Sequence, residues 1–191
     1  MPRWRDKMMS VGTVKTLLTF AEFEQLPDQP GKRELVRGEL IEMPPADYKH
    51  NRISHRTYKR LDSALERAHA SGEAQNLGEV CHEMGYLLPG AGWLQPDVSV
   101  THARQRIEKY LTGAPAIAIE VISPSNTAKQ IDRKAKLCFE FGALEVWRFF
   151  PKTRHVTIEI PGGVRVLAAD DVIMTPLLPG LALSVQDIFG D

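Results

Sequence analysis

The sequence predicts an α/β (α+β) fold, a mixed sheet flanked by helices. Segments of strand character outnumber helical ones, and the helical ones fall between and beside them. Ala116 to Ile122 is an almost wholly apolar run of strand length, the pattern of a central strand covered on both faces. At 191 residues the chain can bury one core. We read residues 1–18 as an N-terminal extension and residues 19–191 as a single domain.

The elements follow in order. Thr19-Phe20-Ala21-Glu22 has the form of a capping box and opens a short helix that ends at Leu26-Pro27. Arg33 to Val36 and Glu39 to Met43 read as a hairpin turning at Arg37-Gly38, and Pro44-Pro45 stops it. The longest helix runs from Asp47 to about Ala70, with Ile53, Thr57, Leu61, Ala64, Leu65 and Ala68 at helical period and His50 one turn earlier on the same face. Glu79 to Leu88 reads as one strand. Pro89 to Gly92 then turns into the strand bearing Asp97, and Thr101 to Gly113 reads as a polar loop with some helix.

After the central strand, Ser123 to Asn126 breaks the chain, and Thr127 with Gln130 caps a second helix. In that helix Ile131, Ala135, Cys138 and Phe139 share a face. Glu145 to Phe150 is a strand, and His155 to Ile160 with Val164 to Leu167 form a hairpin. Pro176 to Phe189 predicts a covering strand and a final helical turn.

Formal net charge is zero, so no global basic field announces nucleic acid, although a local basic cleft remains open. Cys81 and Cys138 lack partners at metal-ligand spacing and sit among apolar neighbours, which suits buried thiols in a reducing compartment. Met1 to Ser10 has no apolar run after its basic residues, and no stretch approaches the ~20 apolar residues of a membrane span. The expectation is a cytoplasmic protein without a membrane partner. No serine-hydrolase elbow accompanies Ser123 or Ser125, and His82, His102 and His155 do not pair at zinc-site spacing.

The chemistry lies between Pro96 and Lys136. Strand alternation places Glu120 with Ala118 and Ile122. A carboxylate in so apolar a strand needs a partner, a metal or exposure. Asp97, at the start of its own strand, can be brought beside it. Two carboxylates ~4 Å apart repel by roughly 4 kcal/mol at an effective dielectric near 20. A divalent cation reverses that sign, can activate water and neutralises charge on a phosphate; a nearby lysine adds to the stabilisation.

Pro96-Asp97 followed by Glu120 resembles the PD-(D/E)XK nuclease pattern. The run Arg33 to Met43, His50, Glu120 to Ser125, the pair Asp132 and Lys136, and Leu178-Pro179-Gly180-Leu181 resemble the Uma family of restriction-endonuclease-like proteins within that superfamily. The resemblance extends over about Thr19 to Phe189. It implies a restriction-endonuclease-like mixed central sheet flanked by helices, with an N-terminal hairpin extension and metal at Asp97 and Glu120. It also implies Glu34 near the same site as a further acid, and a catalytic lysine moved to the following helix. Ile122 occupies the strand position where that lysine is otherwise expected.

Lys136 is the lysine we assign, one helical turn from Asp132. His50, Asp132 and Lys134 are candidates for supporting or substrate contacts, and Glu39 and Glu42 flank Glu34 without a means of choosing between them. Arg52, Arg56, Lys59, Arg60 and Arg67 form a basic stripe whose default is a solvated helix face. Lys129, Arg133, Lys134 and Lys136 cluster beside the site. After Gly142 the sequence departs from the family at Leu144 to Trp147, followed by Arg148. The reading is a Mg²⁺-dependent (or Mn²⁺-dependent) endonuclease acting on nucleic acid, most naturally DNA, as a homodimer. Its rivals are an inactive nucleic-acid or protein-binding module on the same fold and an RNA nuclease.

Overall fold

A computed structural model of the chain describes residues 17–124 and 126–190. Most of the N-terminal extension, with Met1 to Ser10, and Ser125 lie outside the described residues.

The chain begins with α1 (Phe20–Glu24), whose Thr19–Glu22 capping box is formed. β1 (Lys32–Val36) and β2 (Glu39–Met43) make the hairpin. Its turn places Arg37 and Gly38 at φ +49° and +82°, the mirror-image turn that matches strand twist. α2 (Tyr48–Ala70) follows, capped by Asp47, which accepts the His50 N–H at 2.8 Å. It buries Ile53, Thr57, Leu61, Ala64, Leu65 and Ala68, the face its period predicts.

β3 (Leu77–His82), β4 (Tyr86–Leu88), β5 (Gly92–Leu94), β6 (Val98–His102), β7 (Arg106–Ile107) and β8 (Leu111–Thr112) lead to β9 (Ile117–Val121). Then come α3 (Ala128–Glu140), β10 (Glu145–Phe150), β11 (His155–Ile160), β12 (Gly163–Leu167), β13 (Val172–Thr175), β14 (Leu178–Ser184) and α4 (Val185–Phe189). No helix of the described residues is long and apolar enough to cross a membrane.

Two mixed sheets and a separate β13-β14 pair organise these strands. The central one has the order β12-β11-β10-β9-β6-β3, with only β9 and β10 parallel. α3 supplies the crossover that a parallel pair requires. The second sheet has the order β2-β1-β5-β4-β8-β7. Ile117, Ile119 and Val121 face a core built with α2, β14 and α4, whereas Ala118 faces a second core shared with α3 and the second sheet. β9 is thus covered on both faces, as its composition predicts.

Three expectations are corrected. The turn at Pro89 to Gly92 opens β5 of the second sheet, not the strand that follows Asp97, which is β6 of the central sheet. Glu79 to Leu88 is not one strand: Glu83 at φ +48° breaks it, β3 joins the central sheet and β4 the second. Gly85 sits in the break because the Trp93 ring occupies the space where a Cβ would be, 1.8 Å away. Residues 101–113 carry no helix; β7 and β8 form a small ribbon at the edge of the second sheet, held by pairing rather than by an apolar pattern.

Candidate active site

Asp97 immediately precedes β6, where the antiparallel register sets Val98 opposite Ile119. That register carries its carboxylate to the end of β9, and Oδ2 accepts the Val121 N–H at 2.7 Å. His50 Nε2, in the first turn of α2, lies 3.2 Å from the same oxygen. Lys32 Nζ donates to Oδ1 at 2.7 Å and to the Gln95 carbonyl at 2.7 Å. Burial pushes the Asp97 carboxyl up, but His50 and Lys32 together outweigh it and hold the group well below the usual carboxylate range. Burial likewise works against the charge on His50 and Lys32, and the carboxylates reverse it, so both groups hold their protons more tightly than in water.

Glu34 on β1 is fully buried. Its Oε1 accepts the Gln95 N–H at 3.0 Å and its Oε2 lies 2.8 Å from Lys134 Nζ. The same ammonium lies 2.6 Å from Glu120 Oε1, so Lys134 bridges the second sheet to the end of β9. The Lys134 ammonium is pushed well up because Glu120 and Glu34 overcome its burial. Burial raises the Glu120 carboxyl, and Lys134 and Lys32 offset that only in part. Three carboxylates therefore face two lysines, which leaves one negative charge in excess when His50 is neutral.

Lys32, His50, Gln95, Asp97, Glu120 and Ser123 line a cavity of ≈ 650 Å³. The Pro44-Pro45 segment, the start of α2 and the loop after β9 form its walls.

The structure brings Asp97, Glu120, Glu34, His50 and Lys134 to this place. It does not bring Lys136 or Asp132. Lys136 is exposed on α3, and Asp132 is an exposed residue 3.4 Å from Arg148. Helix phase explains the correction: Lys134 is one turn from Ile131 and from buried Cys138, whereas Lys136 is one turn from exposed Asp132 and Glu140. The helix-borne lysine in contact with Glu120 is Lys134.

Lys32 is the residue the sequence reading missed. Its signal is strand alternation, which puts it on the same side of β1 as Glu34. The other candidates hold the scaffold together: Glu39 pairs with Arg133 at 2.6 Å and Glu42 with Arg33 at 3.2 Å. Arg148, opposite Glu120 in register, pairs with Glu159 at 2.8 Å. In the basic stripe Arg56 turns to the carbonyls that end α4, and Lys59, Arg60 and Arg67 are exposed.

The donor set suits a hard cation. All the acidic groups are oxygen donors, and they carry one excess negative charge while His50 is neutral. Among the described residues no three His, Cys, Asp or Glu side chains form a cage by themselves. Mg²⁺ uses one or two protein carboxylates and keeps its remaining positions for water and phosphate, and Asp97 and Glu120, which both line the cavity, are the carboxylates that could hold it there.

Three comparisons bear on this arrangement. The family model described as "Uma2: Putative restriction endonuclease" matches residues 20–186. No curated protein matches the chain. Among solved structures it is similar to one described as a putative nuclease belonging to DUF820 from Anabaena variabilis ATCC 29413, with a TM-score of 0.76 over 90% of this chain and 97% of that one. Identity between the two is 22%, so this likeness speaks for the fold.

Proposed function

Because the chain belongs to the Uma2 family, described as putative restriction endonucleases, we propose that it is a Mg²⁺-dependent (or Mn²⁺-dependent) endonuclease that hydrolyses phosphodiester bonds in DNA. The observation that carries this reading is Lys134 Nζ, 2.6 Å from Glu120 and 2.8 Å from Glu34, with Glu120 itself lining the cavity beside Asp97. Asp97 and Glu120 would hold the metal, which when bound supplies Lewis acidity and charge neutralisation at the phosphate.

The chain's own groups do the rest. Glu34 and Glu120 keep Lys134 protonated, so it presents a fixed positive charge to a phosphate oxygen rather than acting as a base. Lys32 and the Val121 N–H fix the Asp97 carboxylate in orientation. His50 holds a proton against Asp97 at Nε2 and leaves its buried Nδ1 without a protein partner. The domain spans residues 19–191. A homodimer supplies the two cuts that a duplex requires. Two buried free thiols, Cys81 and Cys138, suit the reducing cytoplasm.

Purified protein with Mg²⁺ or Mn²⁺ is expected to cut plasmid or single-stranded DNA, and Glu120→Ala to abolish the cut. Intact DNA under both metals, or equal cutting by the variant, would sink the reading. The second reading, an inactive binding module on the same fold, is favoured by one observation: the ion pairs already neutralise most of the acidic charge. Calorimetric Mg²⁺ titration separates the two, because a module without the activity would bind the ion weakly and indifferently to Glu120→Ala.

A further inference from the structure

A second cavity, of ≈ 420 Å³, adjoins the catalytic one: Gly31 and Gln95 line both. It opens on the other side of β1, where Arg33 alternates with the catalytic-side Lys32 and Glu34. Its wall is aromatic. The Trp93, Phe20 and Phe23 rings form a ladder of near-parallel planes, with centroids 5.7 Å apart at 25° and 6.0 Å apart at 27°. Tyr110 stands edge-on to both Phe20 and Trp93, at 5.8 Å and 4.8 Å. The Trp93 end of this ladder is closed by Gly85, whose missing side chain makes room for the indole. Phe23, the last ring at the other end, is partly exposed at the cavity.

We propose that this pocket takes a nucleobase of the strand whose phosphodiester occupies the catalytic cleft, which rests on the nuclease reading above. A heterocycle laid on Phe23 continues the ladder as a fourth ring. The charges around the pocket favour a base over a phosphate. Lys109 is paired with Glu24 at 2.7 Å and Arg33 with Glu42 at 3.2 Å, so the two nearby cations are neutralised. Gln25 and Asp28 line the same space and offer amide and carboxylate groups to the edge of a base. A ring cluster serving only to fasten α1 to the second sheet would close on itself; this one borders open space of ligand-pocket size. Aromatic faces on which bases stack hold a single strand through its bases, here beside the cleft that takes its backbone. The substrate class is accordingly a strand with at least one unpaired base next to the scissile bond.

The test is equilibrium binding by fluorescence anisotropy, with wild-type protein in EDTA so that no cleavage occurs. The probes are a labelled single-stranded 12-mer of DNA, the same chain made of abasic sugar-phosphate units, the corresponding duplex, and unlabelled dTMP as competitor. The base-bearing strand is expected to bind roughly ten-fold or more tighter than the abasic one, the worth of stacking one base. It should also bind tighter than the duplex. Phe23→Ala should collapse the base-to-abasic ratio to near one, while Phe23→Leu, which keeps bulk without the ring, should do the same in a protein of unchanged melting temperature. Equal affinity for base-bearing and abasic strands, a preference for the duplex, dTMP competing as well as the strand, or a ratio insensitive to both Phe23 variants would each overturn the proposal. Base-dependent binding without metal-dependent cleavage would leave the pocket standing and remove the nuclease reading, and cleavage without base dependence would do the reverse.

Discussion

Lys134 is nearly buried and lies between two carboxylates, one of which has no exposure at all. Its removal strands Glu34 and Glu120 in a low-dielectric site, a loss of about 3 kcal/mol for a broken buried pair. Lys134→Met is therefore expected to lower urea stability by about that amount and to abolish cleavage. Lys136→Met should leave stability within about 0.5 kcal/mol, as surface changes do. Cys138 gives a pH signature. Burial, with Glu120 adding to it, pushes its thiol up to about 12. The unfolded thiol releases its proton near pH 8.5 while the native one keeps it, so the native state binds more protons and stability falls as pH rises through that window. The urea midpoint should decline between about pH 8.5 and 11, and Cys138→Ala should make the decline shallower. At this scale the placement of Asp97 and Glu120 beside one cavity was legible, and the lysine beside Glu120 only partly so. Glu120 stands out inside an apolar strand, and Asp97 at the head of one. Choosing among Lys129, Lys134 and Lys136 requires the phase of α3 against the sheet, which Ile131 and Cys138 encode but Asp132 obscures. Lys32 stayed hidden because a lysine opening a hairpin strand is ordinary until its partner from another strand is known.

Among the elements, the β1–β5 pairing brings Glu34 beside the Gln95 N–H. Gly92 lies opposite Val36 with φ +140°, and a Cβ there would stand 1.8 Å from the Leu35 carbonyl oxygen. Gly92→Ala is expected to cost about 2 kcal/mol or more, from strain and forced separation of the strands, and to loosen Glu34 from the Gln95 N–H. Thermal unfolding measures the first effect; cleavage rate, or loss of amide-exchange protection at Gln95, measures the second. Elements with local signatures were legible: both capping boxes, the Arg37-Gly38 turn, the period of α2 and the apolar run of β9. Those fixed by distant partners were not. β4 leaves the line of β3 because Gly85 must admit Trp93, and β7 with β8 pairs through backbone alone. β13 hides in a segment whose residues alternate exposed and buried only because β14 lies beside it.

At the scale of the molecule, the larger core is closed from outside by the C-terminal segment. Ile173, Leu178, Leu181, Leu183, Val185, Ile188 and Phe189 are all buried there against α2 and the central sheet. Seven such side chains contribute roughly 10–20 kcal/mol of transfer free energy, as much as the whole net stability of an ordinary domain. A chain ending at Ala169 should therefore show no cooperative thermal transition by circular dichroism. The same interdependence gathers on Asp97, whose one carboxylate meets the hairpin through Lys32, the long helix through His50 and the central sheet through the Val121 N–H. A residue so placed is a fastening as much as a reagent. Replacing it orphans a backbone donor and frees a lysine, so an Asp97 variant is a poor inactive control: its silence would not separate lost chemistry from lost architecture. Glu120, whose ion-pair contact runs through Lys134 and whose side chain borders the cavity, gives the cleaner blank.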